Sequence, residues 1–193
     1  TEVYFLYRFL FLISFIYFYQ PSFGQGITEQ SPEPSSSLSK NKVVRTKHQM
    51  VVSANPYVSK VGNDILTQGG NAVDAAIASA IMVTLVEPQS AGIGGGGFIL
   101  YYDPKDKVLT SIDARETAAG NTNADQFLDK DKKPLAYAQT IYKGSSVGVP
   151  GLLKGLALIH KKYGTLPWDK LIRPTIRLAQ EGFIVSPLSL IHI

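Results

Sequence analysis

Apolar residues recur along this chain with two different periods. Val58, Val61, Ile65 and Leu66 return every three or four residues, as on one face of a helix. Asn55 stands before them as an N-cap, Pro56 suits the first helical position, and Gly69-Gly70 ends the pattern. Asn71 then caps a second predicted helix, with Asp74 three residues later in the place of a capping-box acid, and this helix runs to Glu87-Pro88. Ala72, Ala75, Ala76, Ala78, Ser79 and Ala80 keep it thin on several sides, while Val73, Ile77, Ile81 and Leu85 supply an apolar face. A helix so small and apolar should pack closely against a sheet or another helix. Ahead of both, Met50-Val51-Val52-Ser53-Ala54 reads as a short buried strand that stops at Asn55-Pro56.

Beyond a glycine run at 92–97 the pattern becomes that of strands. Phe98-Ile99-Leu100-Tyr101-Tyr102 is aromatic and branched, Pro104-Lys105-Asp106 turns the chain, and residues 108–112 return as an antiparallel partner. The hairpin leaves Asp113-Ala114-Arg115-Glu116 at its exit. After a polar stretch, Val149-Pro150-Gly151 opens a helix carrying Leu152, Leu156, Ile159 and Tyr163 and closed by Gly164. Another helical region begins at Trp168, where Pro174 is expected to separate a short turn from a second helix through Glu181, ended by Gly182. Trp168, Tyr101 and Tyr102 are expected in the core. Strands with helices before and after them predict an α/β or α+β fold, without internal repeats.

The ends differ in composition from this middle. Residues 1–24 hold an apolar run at 9–19 broken only by Ser14, with Arg8 in front and a small-x-small site at Ser22-Phe23-Gly24. This reads as an export signal for secretion or the periplasm, since the run is shorter than the roughly 20 residues a bilayer span needs. No stable membrane insertion is expected. The first residue is Thr1 and not methionine, so the authentic start is expected elsewhere. Residues 25–42 are rich in Ser, Pro, Glu and Gln and read as a disordered linker. The folded part is expected at 43–187. The last six residues, Leu188-Ser189-Leu190-Ile191-His192-Ile193, match an adaptor sequence read in frame and are expected to be a non-native tail.

Over its 193 residues the chain is 45% hydrophobic and 18% charged, which suits one globular domain. The formal charge of +4 owes much to Lys40, Lys42, Arg45 and Lys47 in one short stretch, and no basic stripe follows a periodic element, so nucleic acid is not implied. There are no cysteines, and His48, His160 and His192 lack metal-ligand spacing, so no metal is implied.

Two glycine motifs suggest chemistry and fail on context. Gly92, Gly94 and Gly97 form a G-x-G-x-x-G, but it follows a helix and precedes a strand, the reverse of a dinucleotide site, so no cofactor is implied. Residues 144–148 match G-x-S-x-G, yet no good strand precedes Gly144, and Asp169 follows His160 in the wrong order for an α/β-hydrolase. His160 sits near Leu156 and Tyr163 and reads as a packing or helix-surface residue. Arg115 has the planar fork that grips a carboxylate, although Asp113 and Glu116 are equally available to it as partners.

The order of several blocks says more than any one of them. Gly69-Gly70-Asn71-Ala72-Val73-Asp74-Ala75-Ala76, then Glu87-Pro88-Gln89-Ser90-Ala91-Gly92-Ile93-Gly94-Gly95-Gly96-Gly97-Phe98, then Asp113-Ala114-Arg115-Glu116-Thr117-Ala118, resemble the γ-glutamyl transferase (glutathione hydrolase) family. Val147-Gly148-Val149-Pro150-Gly151, Lys162-Tyr163-Gly164-Thr165-Leu166 and Ala179-Gln180-Glu181-Gly182-Phe183 continue the likeness, which covers about 43–187. The resemblance implies the front part of the large subunit of an N-terminal-nucleophile hydrolase, an αββα sandwich made from a self-cleaving precursor. It implies attack by the small subunit's N-terminal threonine on the γ-glutamyl amide of glutathione and related compounds, with transfer to water or to an amino-acid or peptide acceptor. No catalytic residue is then expected within these residues, which by themselves would be inactive. Arg115, in the D-A-R-E-T block, is implied to hold the substrate α-carboxylate. A cephalosporin- or glutaryl-acylase-type relative, or a catalytically silent ligand-binding homologue, is the alternative.

Overall fold

The computed structural model describes residues 43–192. Backbone contacts divide the chain into Thr1–Arg45 and Thr46–Ile193, and every element below belongs to the second unit. The expected export signal and linker lie outside the described residues.

Helix α1 (Pro56–Thr67) starts where the Asn55 side chain accepts a hydrogen bond from the Tyr57 N–H at 2.9 Å. It ends before Gly69, whose φ of +89° suits a residue without a side chain. Helix α2 (Ala72–Val86) opens with the expected capping box. The Asn71 side chain accepts from the Val73 and Asp74 N–H groups at 2.9 and 3.0 Å, and Asp74 accepts from the Asn71 N–H at 3.0 Å. Four shorter or later helices follow: α3 (Tyr137–Thr140), α4 (Leu152–Tyr163), α5 (Trp168–Glu181) and α6 (Pro187–His192).

Helix α2 is the centre of the core. It packs on α1, α4 and α5, and its Val73, Ile77, Ala78, Ile81, Met82 and Val86 are buried. Its small residues permit this many-sided contact: at Gly62 of α1 an added Cβ would lie 2.6 Å from Ser79 Oγ. Strands β1 (Phe98–Asp103) and β2 (Val108–Asp113) pair antiparallel in the register Phe98↔Asp113 to Asp103↔Val108. Ile99, Tyr101 and Ile112 pack toward the core, while Phe98, Leu100, Tyr102 and Leu109 are exposed.

Three expectations need correction. Residues 50–54 form no strand, and Val52 is 82% exposed. Among the described residues no strand runs beside them, so their backbone has no ladder to join; Val51 packs over Gly62, and the Ser53 hydroxyl bonds to the Asn55 carbonyl and Ser59 at the start of α1. Pro174 does not divide the last long helix, since α5 runs through it. Fully buried Leu171 lies on one side of the proline and Leu178 on the other, both packed on the core. That continuous face outweighs the loss of one helical hydrogen bond. Tyr102 is exposed, because alternation along β1 turns it to the face opposite Tyr101; Trp168 and Tyr101 are partly buried against the core, as expected. Among the described residues, no helix is long and apolar enough to cross a membrane.

Candidate functional site

Three stretches of chain meet where β2 ends: the glycine run, the exit segment 113–117, and residues 147–152 leading into α4. Gly97 and Ala114 exchange two backbone hydrogen bonds, at 3.1 and 2.9 Å. Thr117 and Val149 exchange another two, at 3.2 and 2.8 Å. The backbone of Arg115 is therefore pinned on both sides. The Gly95 carbonyl accepts from the N–H groups of Gly151 and Leu152 at 3.2 and 3.1 Å, and so serves α4 as the cap that no side chain provides.

Arg115 stands two residues beyond β2, as expected from the hairpin. Its own N–H donates to Asp113 Oδ1 at 2.9 Å, so that acid serves the backbone and not the guanidinium. The side chain, 61% exposed, brings Nε to 3.2 Å from Glu116 Oε2 and its guanidinium carbon to 6.0 Å from the centre of the Phe98 ring. Exposed ion pairs of this kind hold a side chain only weakly. The guanidinium thus remains open to a carboxylate, at the rim of a cleft of about 400 Å³ lined by Arg115, Thr117, Thr122, Gln126 and Ser146 among others.

The rival catalytic groups are engaged elsewhere. Ser146 lies in a 3-10 turn (Gly144–Ser146) with no strand before it, and its hydroxyl donates to the Thr140 carbonyl. The His160 ring places Nε2 2.8 Å from the Leu166 carbonyl oxygen and its edge against Trp168. Among the described residues, no hydrogen bond joins a serine or threonine hydroxyl to a histidine. The glycine run follows α2 and precedes β1, the order that argued against a dinucleotide site.

Two buried carboxylates join the ends of α2 to segments distant in the chain, and the sequence showed only part of this. Asp74, fully buried, accepts not only from Asn71 but also from the Thr165 N–H at 3.1 Å, the Leu166 N–H at 3.2 Å and the Thr165 hydroxyl at 2.5 Å. Burial pushes its pKa up, but these donors outweigh it and hold the carboxyl below its ordinary value. Glu87, at the end of α2, accepts from Asn55 Nδ2 and Gln89 Nε2, both at 2.5 Å, and from the Ser186 hydroxyl at 3.1 Å. Burial again acts upward and the three donors more strongly downward. Glu87 thereby ties the start of the glycine segment to the N-cap of α1. A capping-box reading finds the first of Asp74's bonds; nothing local points to its partners 91 and 92 residues away, or to those of Glu87 at 32 and 99 residues.

A protein-family model described as gamma-glutamyltranspeptidase matches residues 58–190. The glutathione hydrolase proenzyme of Bacillus subtilis strain 168 is 43% identical over 158 residues, covering 81% of this chain and 27% of that protein. The crystal structure of Helicobacter pylori gamma-glutamyltranspeptidase superposes with a TM-score of 0.73 at 32% identity, over 78% of this chain and 43% of that one. The cephalosporin acylase of Bacillus halodurans superposes with a TM-score of 0.66, also at 32% identity, over 83% of this chain and 29% of that one. The chain thus spans about a quarter of the length of the curated relative, and its fold is the expected α+β fold of N-terminal-nucleophile hydrolases. With the motif blocks in order, the matching fold and a family model covering most of the described residues, this chain belongs to the gamma-glutamyltranspeptidase family.

Proposed function

We propose that this chain supplies the α-carboxylate site of an exported γ-glutamyl transferase and glutathione hydrolase, with Arg115 as the residue that grips the glutamyl group. One observation carries the reading: an open guanidinium on a backbone pinned by Gly97–Ala114 and Thr117–Val149, beside a cleft. The pinned backbone fixes where the arginine starts and its exposed fork can take up a carboxylate through two parallel hydrogen bonds, a gain set against about 0.5–1.5 kcal/mol for ordering the long side chain.

The nucleophile in this reading is a threonine at the new N-terminus of a small subunit cut from the same precursor. Its α-amine takes the hydroxyl proton as the oxygen attacks the γ-carbonyl and passes it to the amide nitrogen as the C–N bond breaks, leaving a γ-glutamyl ester and releasing the amine of cysteinylglycine. Water, or the amine of an amino acid or peptide, then resolves the ester. Arg115 acts by holding the substrate at its far end, which places the γ-carbonyl for attack. Proenzyme naming among the relatives supports the precursor; the apolar run at 9–19 supports export.

The likeness to a cephalosporin acylase favours a second reading, in which the substrate carries a glutaryl group. Both acyl groups end in a carboxylate and differ by the α-amine. The test is hydrolysis of γ-glutamyl and glutaryl p-nitroanilides by the precursor-length protein. Preference for the first is expected; preference for the second makes the chain an acylase. Activity on neither, after confirmed processing, leaves a silent ligand-binding homologue. In the same assay Arg115→Ala should raise KM for the γ-glutamyl substrate while self-cleavage proceeds. Losing a charge-assisted, two-bond contact costs on the order of 2–4 kcal/mol. Wild-type KM in that variant would refute the role of Arg115.

A further inference from the structure

The exit segment lies in a cradle that side chains cannot enter. An added Cβ at Gly151 would come within 2.3 Å of the Ala114 carbonyl oxygen and 2.4 Å of that of Arg115. At Gly96 it would meet the Ala114 oxygen at 2.6 Å, Arg115 Cα at 2.7 Å and Glu116 N at 2.8 Å. At Gly155, inside α4, it would lie 2.3 Å from Ala114 Cβ, with its next neighbours at an ordinary 3.6 Å or more. Two glycines, Gly96 and Gly151, therefore close on the peptide units on either side of Arg115, and a third, Gly155, closes on the side-chain carbon of Ala114 just before it.

Local backbone needs do not account for them. None of the three has a positive φ, so the left-handed region is not what selects glycine. Gly155 lies within α4, where alanine is the better helix former by roughly 1 kcal/mol. What the absent side chains leave room for is Ala114, itself buried, and the backbone on either side of Arg115.

We propose that Gly96, Gly151 and Gly155 are positioning residues for substrate binding: they let the glycine run and the start of α4 close on Ala114-Arg115 and set where the guanidinium stands. This rests on the assignment of Arg115 to the substrate carboxylate. Because the strand exit is held from both sides, a shift of about 1 Å forced on Ala114 moves the base of the arginine. A misplacement of that size lengthens or bends the two hydrogen bonds by which the fork would hold a carboxylate, and so weakens substrate binding.

The size relation at Gly155 allows a direct test. In the precursor-length protein, Gly155→Ala should raise KM for γ-glutamyl p-nitroanilide by about tenfold or more, with kcat changed less than about threefold and self-cleavage complete. The exchange Ala114→Gly with Gly155→Ala removes the clashing carbon from the other side and should return KM to within about threefold of wild type. Because it relieves the clash, this pair also serves if the single variant does not fold. With Arg115→Ala as the background, Gly155→Ala should raise KM no further. An effect that persists in that background overturns the proposal, and so does a single variant with wild-type KM or an exchange that folds without restoring KM. If instead Arg115→Ala alone leaves KM at the wild-type value, it is the carboxylate assignment that fails, whatever the glycine variants do.

Discussion

Replacing Asp74 by alanine removes one carboxylate and leaves four donors without their acceptor: the N–H groups of Asn71, Thr165 and Leu166, and the Thr165 hydroxyl. Each hydrogen bond to a charged group contributes about 1.5–3 kcal/mol. Thr165 is exposed, so water recovers part of the loss at two of the four. The two bonds that water reaches less, one of them the Asn71 half of the α2 capping box, amount to about 3–6 kcal/mol. The loss is local to the junction of α2 with the turn between α4 and α5, so amide hydrogen exchange in the whole protein reads it without requiring the rest to unfold. At about 1.4 kcal/mol per tenfold, protection of the Thr165 and Leu166 amides should fall by roughly a hundredfold or more. The donors hold the Asp74 pKa below its ordinary value. Its contribution is therefore fully present above the ordinary carboxylate pKa and is lost as pH falls through the lower, folded value. Asp74→Asn should abolish that acid limb at these two amides. Unchanged protection in Asp74→Ala at neutral pH would show that the carboxylate is not what joins these elements.

Glu87→Gln should cost about 2–3 kcal/mol, because a carboxamide keeps one acceptor oxygen and turns its N–H groups toward a donor at the other position, either Asn55 Nδ2 or Gln89 Nε2 and the Ser186 hydroxyl; thermal denaturation above pH 6 checks it, and the difference from wild type should shrink as pH falls through the depressed pKa of Glu87. Pro174→Ala should stabilise the protein by about 1–2 kcal/mol. It restores an N–H facing the Lys170 carbonyl in the continuous α5, an effect partly offset by a freer unfolded chain, and a urea midpoint below wild type would contradict this.

Local chemistry was enough to read much of this protein from its residues. Asn55 and Asn71 cap helices through atoms two or three residues away, and the hairpin follows from alternation and a short turn, so these features need nothing distant. The family is legible in the same way, from blocks whose order and spacing survive without coordinates. Several outcomes that depended on a neighbour far along the chain were misread or invisible, although the thin helix α2 and the core positions of Trp168 and Tyr101 were not. The apolar run 50–54 has the composition of a strand and no strand beside it. Pro174 has the chemistry of a helix breaker, overruled by core contacts on both sides. Asp74 reads as a cap but also joins residues 165 and 166, and Gly155 reads as a weak point in a helix until Ala114 appears against it. Arg115 itself could be placed at a strand exit by pattern alone. That its backbone is clamped while its tip stays open was decided by three stretches meeting in space, because close packing, unlike capping or periodicity, is a property of pairs that sequence separation hides.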